Sequence, residues 1–326
     1  MISAADIFPI ASHKQFEKTA LKVFRFQHEH NAVYREFCDH LNINAGEVKS
    51  LRHIPFLPIQ FFKTRDVISS TNPIQETFTS SGTTGSINSR HLVTDVSLYE
   101  QSYRSAFTQF YGNIENYVVL ALLPSYLERG GSSLIYMVDD LIKRTNNPDS
   151  GFYLGDHDGL IEKLVALDKS GQNMILIGVT YALLDLIEKH QFQLQNTIVM
   201  ETGGMKGRRR EMIREELHAQ LCQGFGVPAI HSEYGMTELL SQAYSLGHGV
   251  FECPNWMHIL VRDTEDALAY LPDGKTGGIN VIDLANLNSC AFIATQDLGK
   301  KNPNGSFEVL GRFDHSDIRG CNLMVL

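Results

Sequence analysis

A segment of hydroxyl side chains and glycines suits the binding of phosphate groups. It consists of Thr79, Ser80, Ser81, Gly82, Thr83, Thr84 and Gly85, followed by Ser86. Glycine allows backbone N–H groups to approach an anion, and hydroxyls add further donors. The segment lacks the Lys of a Walker A loop. A Ser/Thr-rich surface turn is the alternative interpretation.

The flanks of this segment indicate how it is held. Residues 76–78 and 91–93 resemble two strands of a hairpin, which differs from the strand-to-helix arrangement of a Walker A loop. Next, Asp95 or Thr94 is expected to cap a helix that runs through Tyr111 and ends at Gly112.

The rest of the chain alternates short apolar runs with helical periodicity. Apolar runs at 117–123, 174–178 and 197–200 separate predicted helices at 132–144, 158–169 and 180–190. Such alternation favours an α/β architecture with a largely parallel sheet. From residue 250 onward the pattern predicts short strands divided by turns, at 258–262, 278–284, 291–295 and 307–310.

The N-terminal region is expected to be different. Residues 14–41 have apolar positions at helical intervals, and the stretch 53–63 (HIPFLPIQFFK) contains Pro55 and Pro58, which favour an extended path.

Composition excludes several classes of protein. The 326 residues carry a net charge of −9, which argues against binding to nucleic acid or an anionic membrane. No apolar run approaches the ~20 residues that span a bilayer, and the first residues do not resemble a secretory signal. The five cysteines are scattered without CxxC spacing, so neither disulfides nor a zinc site is expected. We therefore expect a cytoplasmic protein.

Three further motifs follow the phosphate segment in order. They are YGMTE at residues 234–238, QDLG at 296–299 and GRFD at 311–314. Together with the segment 79–86 they resemble the motifs of the adenylate-forming superfamily, which includes the acyl-CoA synthetases. The segments 124–130, 202–207, 283–287 and 319–321 are similar to the acyl-protein synthetase (LuxE-type) family within it.

This resemblance implies a fold and a domain organisation. The fold is α/β: the large N-terminal domain of an adenylate-forming enzyme, with mixed or parallel sheets flanked by helices and a β-rich C-terminal subdomain. We expect a helical N-terminal segment (1–75), an α/β core (76–250), a β-rich subdomain (251–312) and a truncated hinge with a tail (313–326). The superfamily's small C-terminal domain, with its catalytic Lys, is expected to be absent.

The resemblance also implies an activity, the ATP-dependent conversion of a carboxylic acid, in particular a fatty acid, to acyl-AMP and transfer of the acyl group to a thiol. A carboxylate–CoA ligase similar to phenylacetate-CoA ligase, and a binding scaffold without turnover, are the alternatives. ATP and Mg²⁺ are the implied cofactors, with Thr237 on the α-phosphate and Glu238 on the metal. The implied nucleotide-binding residues are the segment Thr79 to Gly85 with Gly203, Gly204, Tyr234, Gly235, Asp297 and Arg312.

Each of these assignments has a simpler competitor. Tyr234 could be an ordinary core residue, and Asp297 could start a turn before Gly299. Cys321, the implied acyl-accepting nucleophile, could be a chance terminal cysteine, and the other four cysteines are expected in the core.

A basic cluster at residues 206–210 is expected to open a helix that continues through Leu221. Cations are unfavourable at a helix N-terminus, so the cluster needs a reason. One hypothesis is a docking site for an acidic partner such as an acyl carrier protein, and the alternative is a solvated helix end. An acyl-accepting partner enzyme is the other partner that the resemblance implies.

Overall fold

A computed structural model describes residues 2–80, 87–124, 130–204 and 212–312. Two compact units can be distinguished by their internal contacts. One combines Met1–Thr71 with Asn255–Leu326, and the other is Asn72–Pro254. The division into four segments at residues 75, 250 and 312 stays a prediction.

In the described part of the chain the helices are α1 (Ala4–Ile7), α2 (His13–His30), α3 (Ala32–His40), α4 (Phe61–Thr64), α5 (Val96–Tyr111), α6 (Ser133–Arg144), α7 (His157–Lys169), α8 (Thr180–Lys189) and α9 (Arg214–Phe225). The strands are β1 (Leu57–Pro58), β2 (Glu76–Thr79), β3 (Arg90–Val93), β4 (Val118–Leu122), β5 (Gly151–Phe152), β6 (Met174–Gly178), β7 (Thr197–Glu201), β8 (His231–Tyr234), β9 (Ala243–Ser245), β10 (Val250–Glu252), β11 (Met257–Arg262), β12 (Thr276–Asp283), β13 (Phe292–Lys301) and β14 (Phe307–Arg312).

The unit 72–254 is built on a mixed sheet in the order β10-β9-β8-β7-β6-β4-β5. The strands from β5 to β8 are parallel, and β9 and β10 are antiparallel to their neighbours. Every residue of β4 and of β6 is buried, as expected for parallel strands that are covered on both faces. Strands β2 and β3 form a separate antiparallel hairpin.

Local signals explain the helix that follows this hairpin. The Asp95 carboxylate accepts a hydrogen bond from the Ser97 N–H at 3.1 Å and so caps α5. At the other end Gly112 has a φ of +80°, which favours glycine and ends the helix. The predicted cap and end are thereby confirmed, with Asp95 rather than Thr94 as the cap.

The other unit is an antiparallel sheet covered by the N-terminal helices. Strands β11, β12, β13 and β14 pair in sequence, and β1 pairs parallel to β13. The Gln27 amide on α2 donates to the carbonyls of Asn286 and Leu287, at 2.9 and 2.8 Å. Phe24 and Tyr34 pack against Phe292 in a buried aromatic cluster. Residues at the two ends of the chain therefore share one core.

The predicted α/β class is confirmed, but some local predictions are wrong. The segment 53–63 is not extended throughout, because β1 covers only Leu57–Pro58 and Phe61 begins the short helix α4. Helix α9 begins at Arg214, and the basic cluster 206–210 lies outside the described residues. Cys38 and Cys290 are buried as expected, whereas Cys222 and Cys253 are only half-buried. No helix among the described residues is both long and apolar enough to cross a membrane.

Candidate functional site

The hairpin of β2 and β3 carries both ends of the phosphate segment. Thr79 lies directly opposite Arg90 in the hairpin. Beyond this pair the Ser80 N–H donates to the Ser89 carbonyl at 3.1 Å, and the Ser89 N–H donates to the Ser80 hydroxyl at 2.9 Å. These two hydrogen bonds hold the start of the segment close to the residues that follow its end. Ser81, Gly82, Thr83, Thr84 and Gly85 lie outside the described residues.

The motif at 234–238 begins at the last residue of β8. Tyr234 is buried and packs edge-to-face against Phe251, with their ring centroids 5.9 Å apart. After Gly235 the chain turns, and the Leu239 N–H donates to the Met236 carbonyl at 3.0 Å. Glu238 is also buried, at 5% exposure. The turn holds Thr237 and Glu238 at the carboxyl end of a strand, where ligands bind in open α/β sheets.

A histidine joins the hairpin to this turn. His91 on β3 is fully buried, and its Nδ1 lies 2.8 Å from the carbonyl oxygen of Thr237. The carbonyl can only accept, so Nδ1 carries the proton. The structure thereby brings the strand that follows the phosphate segment into contact with the 234–238 motif, 146 positions further along the chain.

The two glycines predicted to line the adenine pocket follow the next strand, β7. Gly203 and Gly204 have φ angles of +74° and +97°, a conformation that favours glycine. The Gly203 N–H donates to Glu201 Oε2 at 2.7 Å, and the Gly203 carbonyl accepts from the Thr180 N–H at 2.9 Å. Both predicted positions lie at the carboxyl edge of the parallel strands, the same edge as the turn after β8.

Glu201 anchors this glycine segment within a buried polar network. Arg214 Nη1 lies 2.8 Å from Glu201 Oε1 and 3.3 Å from the Ser232 hydroxyl. Burial by itself would raise the pKa of Glu201. His218, Arg214, the Ser232 hydroxyl and the Gly203 N–H outweigh this effect and lower the pKa to about 2. Glu201 is therefore ionised, as a paired charge that fixes the glycine segment.

A second carboxyl group, Glu233 on β8, has the opposite character. Burial and the nearby Glu201 carboxylate raise the pKa of Glu233 to about 8. Its Oε1 lies against Gly235, where an added Cβ would be only 2.4 Å away. Glu233 therefore sits beside the 234–238 turn as a group that is neutral at pH 7.

The two predicted ribose contacts lie in the other unit. Asp297 on β13 and Arg312 on β14 face each other directly across the sheet. Arg312 Nε lies 3.4 Å from Asp297 Oδ1, and Asp297 is buried whereas Arg312 is exposed. The structure thus pairs these two residues with each other.

Glu238 supplies the carboxylate that a magnesium ion is expected to require. Mg²⁺ in nucleotide enzymes is held by one or two carboxylates together with phosphate oxygens and water. A single buried carboxylate beside the predicted α-phosphate contact matches this pattern. No group of three or more His, Cys, Asp or Glu side chains suited to a metal occurs within the described ranges.

The implied nucleophile, Cys321, lies outside the described residues, as does the basic cluster 206–210. The buried cysteines are unsuited to that role, because burial raises the pKa of Cys38 and of Cys290 to about 12. A thiol of this kind is almost entirely protonated at neutral pH, and only the thiolate is a good nucleophile.

Sequence reasoning did not identify His91, Glu201 or Glu233. Each is a charged or titratable residue inside or at the end of a short strand, next to a motif that was recognised. Their position in short strands was the one signal that the sequence offered. An ionisable side chain in such a strand is seldom buried without a partner, so it indicates a polar contact. Their roles depend on contacts between distant segments, which no local pattern reveals.

The comparisons with known proteins agree with the motif analysis. The family model of the acyl-protein synthetase LuxE matches residues 7–110. The long-chain-fatty-acid–luciferin-component ligase of Vibrio harveyi is 23% identical over an alignment that covers 96% of this chain and 88% of that relative.

Solved structures with the same fold are adenylate-forming ligases. A 2-hydroxyisobutyryl-CoA ligase in complex with 2-HIB-AMP has a TM-score of 0.66 and 12% identity, covering 96% of this chain and 72% of that one. ATP-bound MatB from Rhodopseudomonas palustris has a TM-score of 0.55 and 18% identity over 74% of this chain. The chain spans about half the length of MatB, 49%. The resemblance read from the motifs is confirmed: the chain has the fold of the adenylate-forming ligases, and its residues 7–110 match the acyl-protein synthetase family LuxE.

Proposed function

We propose that this protein is an ATP-dependent ligase that activates a fatty acid as its acyl adenylate and transfers the acyl group to a cysteine thiol. The observation that carries the proposal is the hydrogen bond from His91 to Thr237, which holds the phosphate hairpin against the motif turn. The similarity to an acyl-protein synthetase family and to a fatty-acid ligase supports the choice of acid and acceptor.

In the first step a carboxylate oxygen of the acid attacks the α-phosphorus of ATP, and pyrophosphate leaves. All reacting groups are anionic, so the site must stabilise the charge that develops in the transition state. Thr237 would contact the α-phosphate, and residues 79–85 would hold the β- and γ-phosphates. Mg²⁺ bound to Glu238 would neutralise phosphate charge.

The nucleoside would be held by the remaining predicted residues. Gly203 and Gly204 would lie against the adenine, and Tyr234 with Gly235 would form the other side of its pocket. Asp297 would accept hydrogen bonds from the ribose hydroxyls, with Arg312 as the second ribose contact. An ionised carboxylate is suited to this role because it only accepts.

In the second step a thiolate attacks the acyl carbonyl carbon, the bond to the phosphate oxygen breaks, and AMP leaves. Cys321 is the proposed thiol, and an acyl carrier protein or a partner enzyme would then receive the acyl group. We also propose a cytoplasmic location, since Cys38, Cys222, Cys253 and Cys290, the cysteines in the described part of the chain, are not in disulfides.

A carboxylate–CoA ligase is the second candidate. It is favoured by one observation, the likeness of the fold to a 2-hydroxyisobutyryl-CoA ligase over 96% of this chain. The two candidates share adenylation and differ only in the thiol that takes the acyl group.

A single incubation separates the candidates. The protein is supplied with ATP, Mg²⁺ and a radiolabelled fatty acid, with and without CoA, and the products are divided into protein-bound and small-molecule fractions. Label on the protein that hydroxylamine releases supports the acyl-protein synthetase. Label found only in acyl-CoA supports the CoA ligase, and absence of label in both fractions contradicts both.

A further inference from the structure

Strand β13 is irregular just where it reaches the residue expected to contact the ribose. The register between β12 and β13 shifts between Gly278 and Asn280. At this point a single residue of β12 lies opposite the three residues 295–297 of β13. The irregularity is a β-bulge, a feature that bends a strand, changes the direction of its side chains and is frequent beside active sites. The bulge ends at Asp297, so its shape determines where that carboxylate points.

A buried arginine on β11 holds the bulge. Arg262, the last residue of β11, is 7% exposed. Its Nη1 donates to the Ile279 carbonyl at 2.8 Å and to Asn280 Oδ1 at 2.7 Å. Its Nη2 donates to the Thr295 carbonyl at 2.5 Å. A bulge disrupts the ladder of backbone hydrogen bonds, and buried carbonyls there need other donors. The planar guanidinium supplies such donors to β12 and β13 at once.

A hydroxyl on the bulge connects this guanidinium to Asp297. Thr295 is buried, and its hydroxyl donates to the Ile279 carbonyl at 2.9 Å. The same hydroxyl oxygen accepts a hydrogen bond from the Asp297 N–H at 3.1 Å. Arg262 therefore holds the carbonyl of Thr295, and the Thr295 hydroxyl holds the backbone of Asp297.

The sheet has space for the guanidinium because residue 278 is a glycine. Gly278 lies directly opposite Arg262 in the pairing of β11 with β12. A Cβ at this position would lie only 2.5 Å from Arg262 Cζ. A larger residue would therefore push the guanidinium away from the acceptors on β12 and β13.

The direction of the Asp297 side chain matters because little of it is accessible. The side chain is 12% exposed, and its Oδ1 lies 3.4 Å from Nε of Arg312, whose side chain is 59% exposed. Hydrogen bonds weaken steeply when donor and acceptor are misaligned. A small change in the shape of the bulge would therefore be enough to turn the carboxylate away from a ligand.

We propose that Arg262 is a positioning residue for the nucleotide, which holds the β13 bulge in the shape that directs the Asp297 carboxylate toward the ribose hydroxyls. The inference rests on the proposed function, which makes Asp297 the ribose contact. Arg262 acts through Thr295 and does not touch the nucleotide. Loss of its guanidinium should therefore weaken recognition of the ribose hydroxyls and leave the contacts to adenine and phosphates in place.

The test compares the binding of ATP and of 2′,3′-dideoxy-ATP, which lacks both hydroxyls, by isothermal titration calorimetry of the full chain with Mg²⁺. Hydrogen bonds to the charged carboxylate should make the dissociation constant of ATP about 10- to 100-fold lower than that of the dideoxy nucleotide. Arg262→Met keeps an unbranched apolar side chain and removes the guanidinium donors. It should reduce the ratio of the two dissociation constants at least about fivefold, by weakening the binding of ATP alone. An equal loss for both nucleotides, or a wild-type protein that does not distinguish them, would overturn the inference.

Thr295 provides a second pair of variants, which decides the matter where Arg262→Met does not fold. Thr295→Val has a similar shape but no hydroxyl, so it should reduce the ratio at least about threefold, and Thr295→Ser should restore it. Ser289→Ala is the matched control, because it removes a buried hydroxyl that donates to the Val67 carbonyl in the same unit. This control should keep the ratio of the wild type. An unchanged ratio in Thr295→Val, or the same loss in Ser289→Ala, would refute the positioning role.

Acid-dependent ATP–pyrophosphate exchange, measured on the same preparations, separates this inference from the proposed function. Exchange by a protein whose nucleotide selectivity does not depend on Arg262 or Thr295 contradicts only the inference. Binding with the predicted ratios but without any exchange contradicts the proposed function. A wild-type protein that binds neither nucleotide contradicts both.

Discussion

His91 Nδ1 donates a hydrogen bond of 2.8 Å to the carbonyl oxygen of Thr237. The two residues are 146 positions apart in the chain. Thr237 belongs to the 234–238 motif, and His91 lies on the strand that follows the segment 79–86; both motifs are expected to contact the phosphates of ATP. Because His91 is fully buried on β3, it can fix the Thr237 turn against the hairpin that carries residues 79–85.

Replacement of His91 should impair the use of ATP more than the binding of the acid. His91→Ala leaves the Thr237 carbonyl without its donor, which costs about 1–3 kcal/mol and should lower kcat/KM for ATP by about 10- to 100-fold. Steady-state pyrophosphate exchange with varied ATP measures this effect. His91→Asn can place an amide donor near the position of Nδ1 and should recover much of the activity. Equal losses in both variants would exclude the hydrogen bond as the cause.

Glu201 should stabilise the fold in a pH-dependent manner. Its pKa is lowered to about 2 in the folded protein from an ordinary value of 4.5, so its contribution is fully present above pH 4.5 and is lost as the pH falls toward 2. The shift corresponds to about 3 kcal/mol. Glu201→Gln should therefore lower the free energy of unfolding by about that amount at pH 7 and by much less at pH 3. Denaturant titrations of both proteins at each pH provide the check, and a difference independent of pH would contradict the assignment.

Gly203 should resist substitution because of its backbone conformation. At a φ of +74° any other residue is strained by about 1–2 kcal/mol, although the space around Gly203 is open. Gly203→Ala should lower the thermal unfolding midpoint and raise KM for ATP. Gly155→Ala is the matched control, since that glycine is equally open and is not in the left-handed region. Comparable effects of the two substitutions would argue against a conformational role for Gly203.

Cys321 should be the site of the covalent acyl group. Cys321→Ser should abolish the hydroxylamine-labile label on the protein while acid-dependent pyrophosphate exchange continues. Cys222→Ser should retain the label, because burial raises the pKa of the Cys222 thiol and disfavours its thiolate. Mass spectrometry of the labelled peptides identifies the site directly. A label that persists in Cys321→Ser would reject this role.

Local signals allowed much of the fold to be predicted. Strand β6, Met174–Gly178, coincides with its prediction because a short apolar run is a strong local signal. Helix α5 was predicted from another local signal, its capping residues Asp95 and Gly112. Helix α9 has no such signal, because its N-cap residue is Ile213 and provides no side-chain hydrogen bond. Its start at Arg214 could not be read from the sequence.

The remaining features could not be predicted because they depend on contacts between residues that are far apart in the chain. Gln27 bonds to Asn286 across 259 residues, so nothing local indicates that the first helices belong with the last strands. The recognised motifs led to the predictions for Thr237, Glu238 and Asp297, since motif order is visible in one chain. His91, Glu201 and Glu233 act through partners on other strands, and only the folded structure brings those partners together.

The central claim, acid-dependent adenylation, is tested most directly by exchange of radiolabelled pyrophosphate into ATP in the presence of tetradecanoate. We predict exchange that requires the acid and Mg²⁺ and that falls at least about 100-fold in Glu238→Gln, because the neutral amide is a poor ligand for a hard cation. Exchange that is absent with every chain length, or that Glu238→Gln leaves unchanged, would contradict it.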